Sequence, residues 1–176
     1  CVHFLTGPGE DLPAVLEGLR RVGQAGREAG VRVALEPVQR EFAHLWSVVS
    51  DLDAAAALVE EAGADVDLMF DTWHLWNSPT LLDDVARLVD RVAGVHVADW
   101  RDPTRNTNDR AFPGDGVADL PAILRALDDA GYAGWYDVEI FSDNDLDGSL
   151  WALTPNEAAR RAKAGFDRVW AAAERR

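Results

Sequence analysis

The sequence predicts an α/β fold built on parallel strands, and three observations carry that expectation. Short apolar runs of strand length recur along the chain, segments of helical pattern with recognisable caps separate them, and no linker, low-complexity tract or shift of composition interrupts the alternation. At 176 residues the chain has the size of one domain, residues 1–176, with a substantial core. Apolar residues make up 48% and charged residues 27%, an ordinary globular balance with no run near the ~20 apolar residues of a membrane span and no visible signal peptide.

The strands come first. "CVHFL" (1–5), "VRVAL" (31–35), "VDLMF" (66–70), "VAGVHVA" (92–98) and "WYDVEIF" (135–141) are rich in Val, Leu and Phe and too short for helices, so each reads as a buried strand. The helices lie between them. Residues 11–29 place apolar side chains at 15, 16 and 19 and stop at Gly30. Residues 51–62 follow Ser50 as N-cap and run into Gly63. Residues 80–90 and 118–130 repeat the theme, the latter stopped by Gly131. In the last helix, "TPNE" offers Thr154 as N-cap, Pro155 in the first turn and Glu157 for a capping box. Strand and helix repeated five times imply parallel strands joined by crossovers, which a doubly wound sheet and a (β/α) barrel both satisfy. The absence of G-x-G-x-x-G or a P-loop after any strand weakens a nucleotide-binding reading.

Charge and composition narrow the function. A formal net charge of −14 opposes nucleic acid as a partner, because phosphodiester binding rests on Lys and Arg. Lys163 is the one lysine, which leaves Schiff-base chemistry almost without a candidate. A lone cysteine, Cys1, excludes an internal disulfide framework and suits a reducing, cytoplasmic setting.

The ends of the strands are where polar residues gather. "VALEP" ends on Glu36, "LMFDTWH" on Asp71, "GVHVAD" on His96 and Asp99, and "YDVEI" on Glu139. In a parallel barrel these ends share one rim, so Glu36, Asp71, His96 and Glu139 can converge. Each alone reads more readily as a cap or a salt-bridge partner than as a ligand. Together, three carboxylates and one imidazole suit a divalent cation, Mn²⁺ or Mg²⁺ by the excess of oxygen, with Co²⁺ or Zn²⁺ as further options. His74, three residues beyond Asp71, is expected to leave the strand and lie over the pocket mouth. His3 sits in an apolar run and His44 in an expected loop, "EFAHLW", and neither is assigned to the site. The long connection "VADWRDPTRNTNDRAFP" carries Trp100, Arg101, Arg105 and Arg110 and reads as a lid that recognises phosphate or hydroxyls. Trp73, Trp76, Trp100 and Trp151 are candidates to pave a pocket at this rim, although core or surface packing explains any one of them as well.

The ordered set "ALEP", "FDTWH", "GVHVADW", "DRAFPGDG" and "GYAGWYDVEIF" resembles the xylose isomerase-like TIM-barrel superfamily, and within it the sugar phosphate isomerase/epimerase group. The resemblance implies a (β/α) barrel, Glu36, Asp71, His96 and Glu139 as metal ligands, and His74 and Arg110 as a substrate-binding pair. It further implies that Glu36 and Glu139 exchange a proton on opposite faces of a sugar through a metal-stabilised enediolate. Expulsion of a β-hydroxyl from the same enediolate makes a keto-polyol dehydratase, of the inosose type, the alternative. A non-catalytic metal-binding half-barrel is a third reading. The apurinic endonucleases share Asp-x-x-His but need extra histidines, one of them in Asp-Arg-His; here that place holds Ala111. A complete barrel takes ~250 residues. Five strands, with Cys1 as the first residue, therefore read as the C-terminal part of one, lacking an N-terminal half or closed by a homo-oligomer partner.

Overall fold

In the computed structural model, which describes residues 1–9 and 11–175, the chain runs β1 (Val2–Phe4), α1 (Leu12–Ala29), β2 (Val33–Leu35), α2 (Arg40–Trp46), α3 (Leu52–Ala62), β3 (Asp67–Asp71), α4 (Thr72–Leu75), α5 (Leu81–Leu88), β4 (Val92–His96), β5 (Asp99–Trp100), β6 (Arg110–Ala111), α6 (Leu120–Asp129), β7 (Tyr136–Asp137) and α7 (Pro155–Ala173). Five strands form one parallel sheet in the order β1-β2-β3-β4-β7. The long connection after β4 folds into a small antiparallel ribbon of β5 and β6. No helix among the described residues is long and apolar enough to cross a membrane.

Alternation along the strands sorts side chains onto two faces. Leu35, Leu68, Phe70, Val92, Val95 and Val97 join the main core with Leu52, Ala55, Val59, Leu81, Val85, Leu88, Leu120, Leu124 and Leu127 of the helices. Burying such a side chain contributes about 1.5–3 kcal/mol, so this face anchors the sheet. Ala34, Met69 and Ala93 form a separate small cluster. Glu36 and Asp71 keep the parity of Ala34 and Met69, so the same alternation that buries Leu35 and Phe70 sends both carboxylates to the second face. The register pairs Met69 with Gly94 and Asp71 with His96, which brings the imidazole alongside.

Most caps follow the sequence. Gly30 and Gly63 close α1 and α3 in the left-handed region at φ 64 and 59. Other ends differ for local reasons. Asp51, not Ser50, caps α3, its carboxylate accepting from the Ala54 N–H at 2.8 Å. Thr154 caps α7, but Glu157 turns to Arg160 at 2.6 Å, so the capping box is only half formed. His44 lies in α2 rather than in a loop. The fifth strand shrinks to two residues, and Glu139 follows it in irregular backbone.

Candidate active site

Glu36 stands one residue past β2, where its N–H still donates to the Phe4 carbonyl at 3.1 Å, so its backbone is held in strand geometry. Asp71 ends β3 and caps α4: Oδ1 accepts from the Trp73 N–H at 2.7 Å, while Oδ2 accepts from Arg110 Nη1 at 2.7 Å. The Thr72 hydroxyl stitches this corner to β4, donating to the Ala98 carbonyl at 2.6 Å and accepting from its N–H at 3.0 Å. His96 ends β4, with Nδ1 lying 3.5 Å from Glu139 Oε2 and 3.8 Å from Glu36 Oε1. The four side chains expected to converge do so, with one donor atom from each within 4.8 Å of the others. Donors around one cation sit ~2.0–2.6 Å from it, hence up to ~4–5 Å apart, and this group fits that spacing. His96 Nδ1 is buried in the group and has no hydrogen-bond partner among the described residues, as a nitrogen reserved for a cation would be.

His74 and Arg110 flank the group. His74 does not lie over a mouth; it is buried in the single turn of α4. Its Nδ1 accepts from the Gln39 N–H at 3.1 Å, which leaves the ring proton on Nε2. That nitrogen stands 3.9 Å from Glu36 Oε1 and 4.0 Å from Asp71 Oδ2. Arg110 is also buried, stacked between the rings of Trp73 at 4.9 Å and Phe141 at 5.0 Å. Its Nη1 reaches both Asp71 at 2.7 Å and Glu139 at 2.9 Å. The nearby carboxylates have other partners: Asp109 is taken by Arg105 and Arg101, and Asp115 by Arg168.

Electrostatics follow from this crowding. Burial raises Glu36 above the usual carboxylate range and the neighbouring Asp71 charge adds to it, against the pull of the imidazoles. Glu139 is raised in the same way, although Arg110 opposes the shift. Burial works against the Asp71 carboxylate too, yet Arg110 and the two imidazoles hold it at about 2. Burial pushes His74 down to about 4. Against burial, the surrounding carboxylates raise His96.

The cavity beside these groups, about 220 Å³, is lined by His3, Leu5, Glu36, Trp46, His74, Thr107, Asn108, Arg110, Glu139 and Phe141. Its aromatic walls are Trp46 and Phe141, not the four tryptophans expected there. Trp73 and Trp100 pack with Phe42 and Trp76 in a cluster behind Arg110, and half-exposed Trp151 lies outside the lining. The expected phosphate-recognising arginines are also otherwise engaged. Arg105 grips Asp109 at 2.6 and 2.7 Å and Arg101 joins it at 3.0 Å, so the loop presents Thr107 and Asn108 to the cavity instead. Two contributors had no sequence signal: Gln39, through its backbone N–H, and His3, through the register of β1.

Residues 2–169 match the family of xylose isomerase-like TIM barrels. The chain belongs to that family. Its five βα units and its rim of polar strand ends are part of such a barrel. Among curated proteins it is 30% identical over 155 residues to an inosose dehydratase of Klebsiella pneumoniae, an alignment covering 78% of this chain and 50% of that protein. The chain thus spans about half the length of the curated relatives it matches. A solved protein from Sinorhizobium meliloti 1021 superposes with a TM-score of 0.86 at 29% identity, covering 96% of this chain and 64% of that one. The IOLI protein, solved with a zinc atom bound, shares the fold at a TM-score of 0.72 and 24% identity, covering 88% of this chain and 54% of its own.

Proposed function

We propose that Glu36, Asp71, His96 and Glu139 hold one divalent cation, and that the site serves proton transfer at a carbon beside a carbonyl: isomerisation or epimerisation of a sugar. The observation that most supports this is that Glu36 and Glu139, both raised by burial, face one cavity from just beyond two different strands. A divalent cation at this position would supply the positive charge that acidifies the C–H beside a carbonyl and stabilises an enediolate.

The residues of the chain do the rest. A carboxyl raised above its usual range is better matched to giving and taking protons than an ordinary one, so one of the two glutamates removes the proton and the other returns one. Asp71, fixed as a carboxylate by Arg110, keeps its negative charge throughout. His74, neutral with its proton on Nε2, offers a hydrogen bond to a substrate oxygen. Arg110 Nε has no hydrogen-bond partner among the described residues, and Nη1 steadies Glu139. The indole of Trp46 and the ring of Phe141 suit the C–H face of a carbohydrate.

The name of the Klebsiella relative favours a second reading, dehydration of an inosose-type keto-polyol. There one carboxylate takes the proton beside the carbonyl, the C–O bond to the β-hydroxyl breaks, and the other carboxyl donates the proton that completes a water molecule. Incubation with Mn²⁺, Co²⁺ or Zn²⁺ and a panel of ketoses and inososes in deuterated water tests both. Deuterium incorporation with the mass of the skeleton retained is expected for epimerisation, and loss of one water for dehydration. Glu139→Gln is expected to lower exchange by on the order of 10²–10⁴. Exchange unchanged in that variant would rule out Glu139 as the proton carrier.

A further inference from the structure

His3, which the sequence did not assign to the site, enters it from β1. β1 pairs with β2 so that His3 is opposite Ala34, which puts its imidazole on the carboxylate-bearing face. From there Nε2 reaches to 3.4 Å from Glu36 Oε2, and the ring stands edge-on to His96 with centroids 4.8 Å apart. His3, His96 and Glu139 form a second group whose donor atoms all lie within 4.8 Å of one another. The two groups share His96 and Glu139. Because the shared pair belongs to both, we read the groups as one cation with a choice of neighbours rather than two cations. Glu36 sits between the alternatives, with Oε1 toward His96 and His74 and Oε2 toward His3.

We propose that His3 is a further ligand of this cation and that it shifts the selectivity of the site from magnesium and manganese toward zinc and cobalt. This rests on the cation reading above. Without His3 the donors are three carboxylates and one imidazole, a hard, oxygen-rich set. With it the set has two nitrogens, which suits Zn²⁺ and Co²⁺. The side chain of His3 is 41% exposed and lines the cavity, so its removal leaves the core intact.

Calorimetric titration of the metal-free chain with Zn²⁺ and, separately, Mn²⁺ tests the assignment, using the unsubstituted chain, His3→Ala and Asp71→Asn. One equivalent of metal is expected in the unsubstituted chain. His3→Ala is expected to weaken Zn²⁺ by roughly tenfold or more while Mn²⁺ changes by less than about threefold. The visible absorption of bound Co²⁺ is expected to change with it, as a ligand nitrogen is lost. A zinc-to-manganese affinity ratio that stays the same overturns the role of His3, whether both affinities hold or both fall together. Asp71→Asn keeps the two layers apart. If it abolishes binding of both metals while His3→Ala is neutral, only the inference about His3 fails. If Asp71→Asn binds undiminished, or the unsubstituted chain binds neither metal, the cation site fails with it.

Discussion

His74 shows how much a single residue's role depends on a neighbour the sequence does not advertise. Its place three residues after Asp71 was legible. Its burial and its bond from the Gln39 N–H were not, because they join positions 35 residues apart through backbone rather than through a recognisable side-chain motif. The consequence is a testable pH dependence. An imidazole held at about 4 in the folded chain returns to about 6.5 on unfolding, so between these values the unfolded state binds the extra proton. Its contribution is therefore full above 6.5 and is lost as the pH falls toward 4. At pH 5 the loss relative to pH 7 is about 2 kcal/mol. His74→Asn, which keeps an acceptor for Gln39 and does not titrate, is expected to remove that loss. Glu36, Glu139 and His96 are raised and gain as the pH falls, but they are common to both chains and largely cancel in the comparison. Urea unfolding of the metal-free chains at pH 7 and pH 5 measures the difference; an equal acid loss in both would show that His74 is not the group responsible.

Among the elements, local signals were readable where the chain closes its own hydrogen bonds and unreadable where distant segments meet. Gly30 and Gly63 end helices because the left-handed turn they adopt is intrinsic to glycine. The short helix α2, the β5–β6 ribbon and the stack of Trp73, Trp76 and Trp100 depend instead on what packs against them, and an aromatic side chain alone does not say whether it faces a core or a substrate. The turn after β6 is a case in which three elements constrain one another. Asp99 gathers the N–H groups of Trp100, Gly114 and Ala118 at 2.9–3.0 Å, and α7 lies against the same turn, with Arg168 bonded to Asp115. Gly165 of α7 permits this approach, since a Cβ there would overlap the Pro113 carbonyl oxygen. Gly165→Ala gains ~1 kcal/mol of helix propensity but incurs an overpacking cost of about 1–3 kcal/mol against backbone, so a net loss is expected. Gly18 of α1 has nothing within 4 Å of its would-be Cβ, and Gly18→Ala is expected to raise stability by up to ~1 kcal/mol. Chemical denaturation of the two variants reads the contrast; a stabilised Gly165→Ala would mean that the turn yields.

For the molecule as a whole, the parallel sheet and the four converging donors were legible because both follow from one rule. Alternation puts 34, 36, 69 and 71 on a single face, and parallel strands end at a single rim. What alternation cannot supply is charge balance across the rim. Three carboxylates meet there, and Arg110 serves two of them, Asp71 and Glu139, leaving Glu36 beside imidazoles only. The metal-free site compensates by favouring protons on Glu36, Glu139 and His96, and a cation binding among them must displace those protons. Binding is therefore expected to release protons and to stabilise the fold, because the unfolded chain does not hold the four donors together. At a metal concentration 100 times the dissociation constant the gain is about 2.7 kcal/mol. For a chain of 176 residues that corresponds to a rise in Tm of about 5–10 °C. Thermal unfolding with and without Mn²⁺, Co²⁺ and Zn²⁺ measures the rise, and titration in buffers of different ionisation enthalpy counts the protons. Asp71→Asn removes the donor that Arg110 holds as a carboxylate, so the rise is expected to disappear there. A rise of equal size in Asp71→Asn would place the cation elsewhere on this acidic surface, and with it would go the reason for the two glutamates to face each other across the cavity.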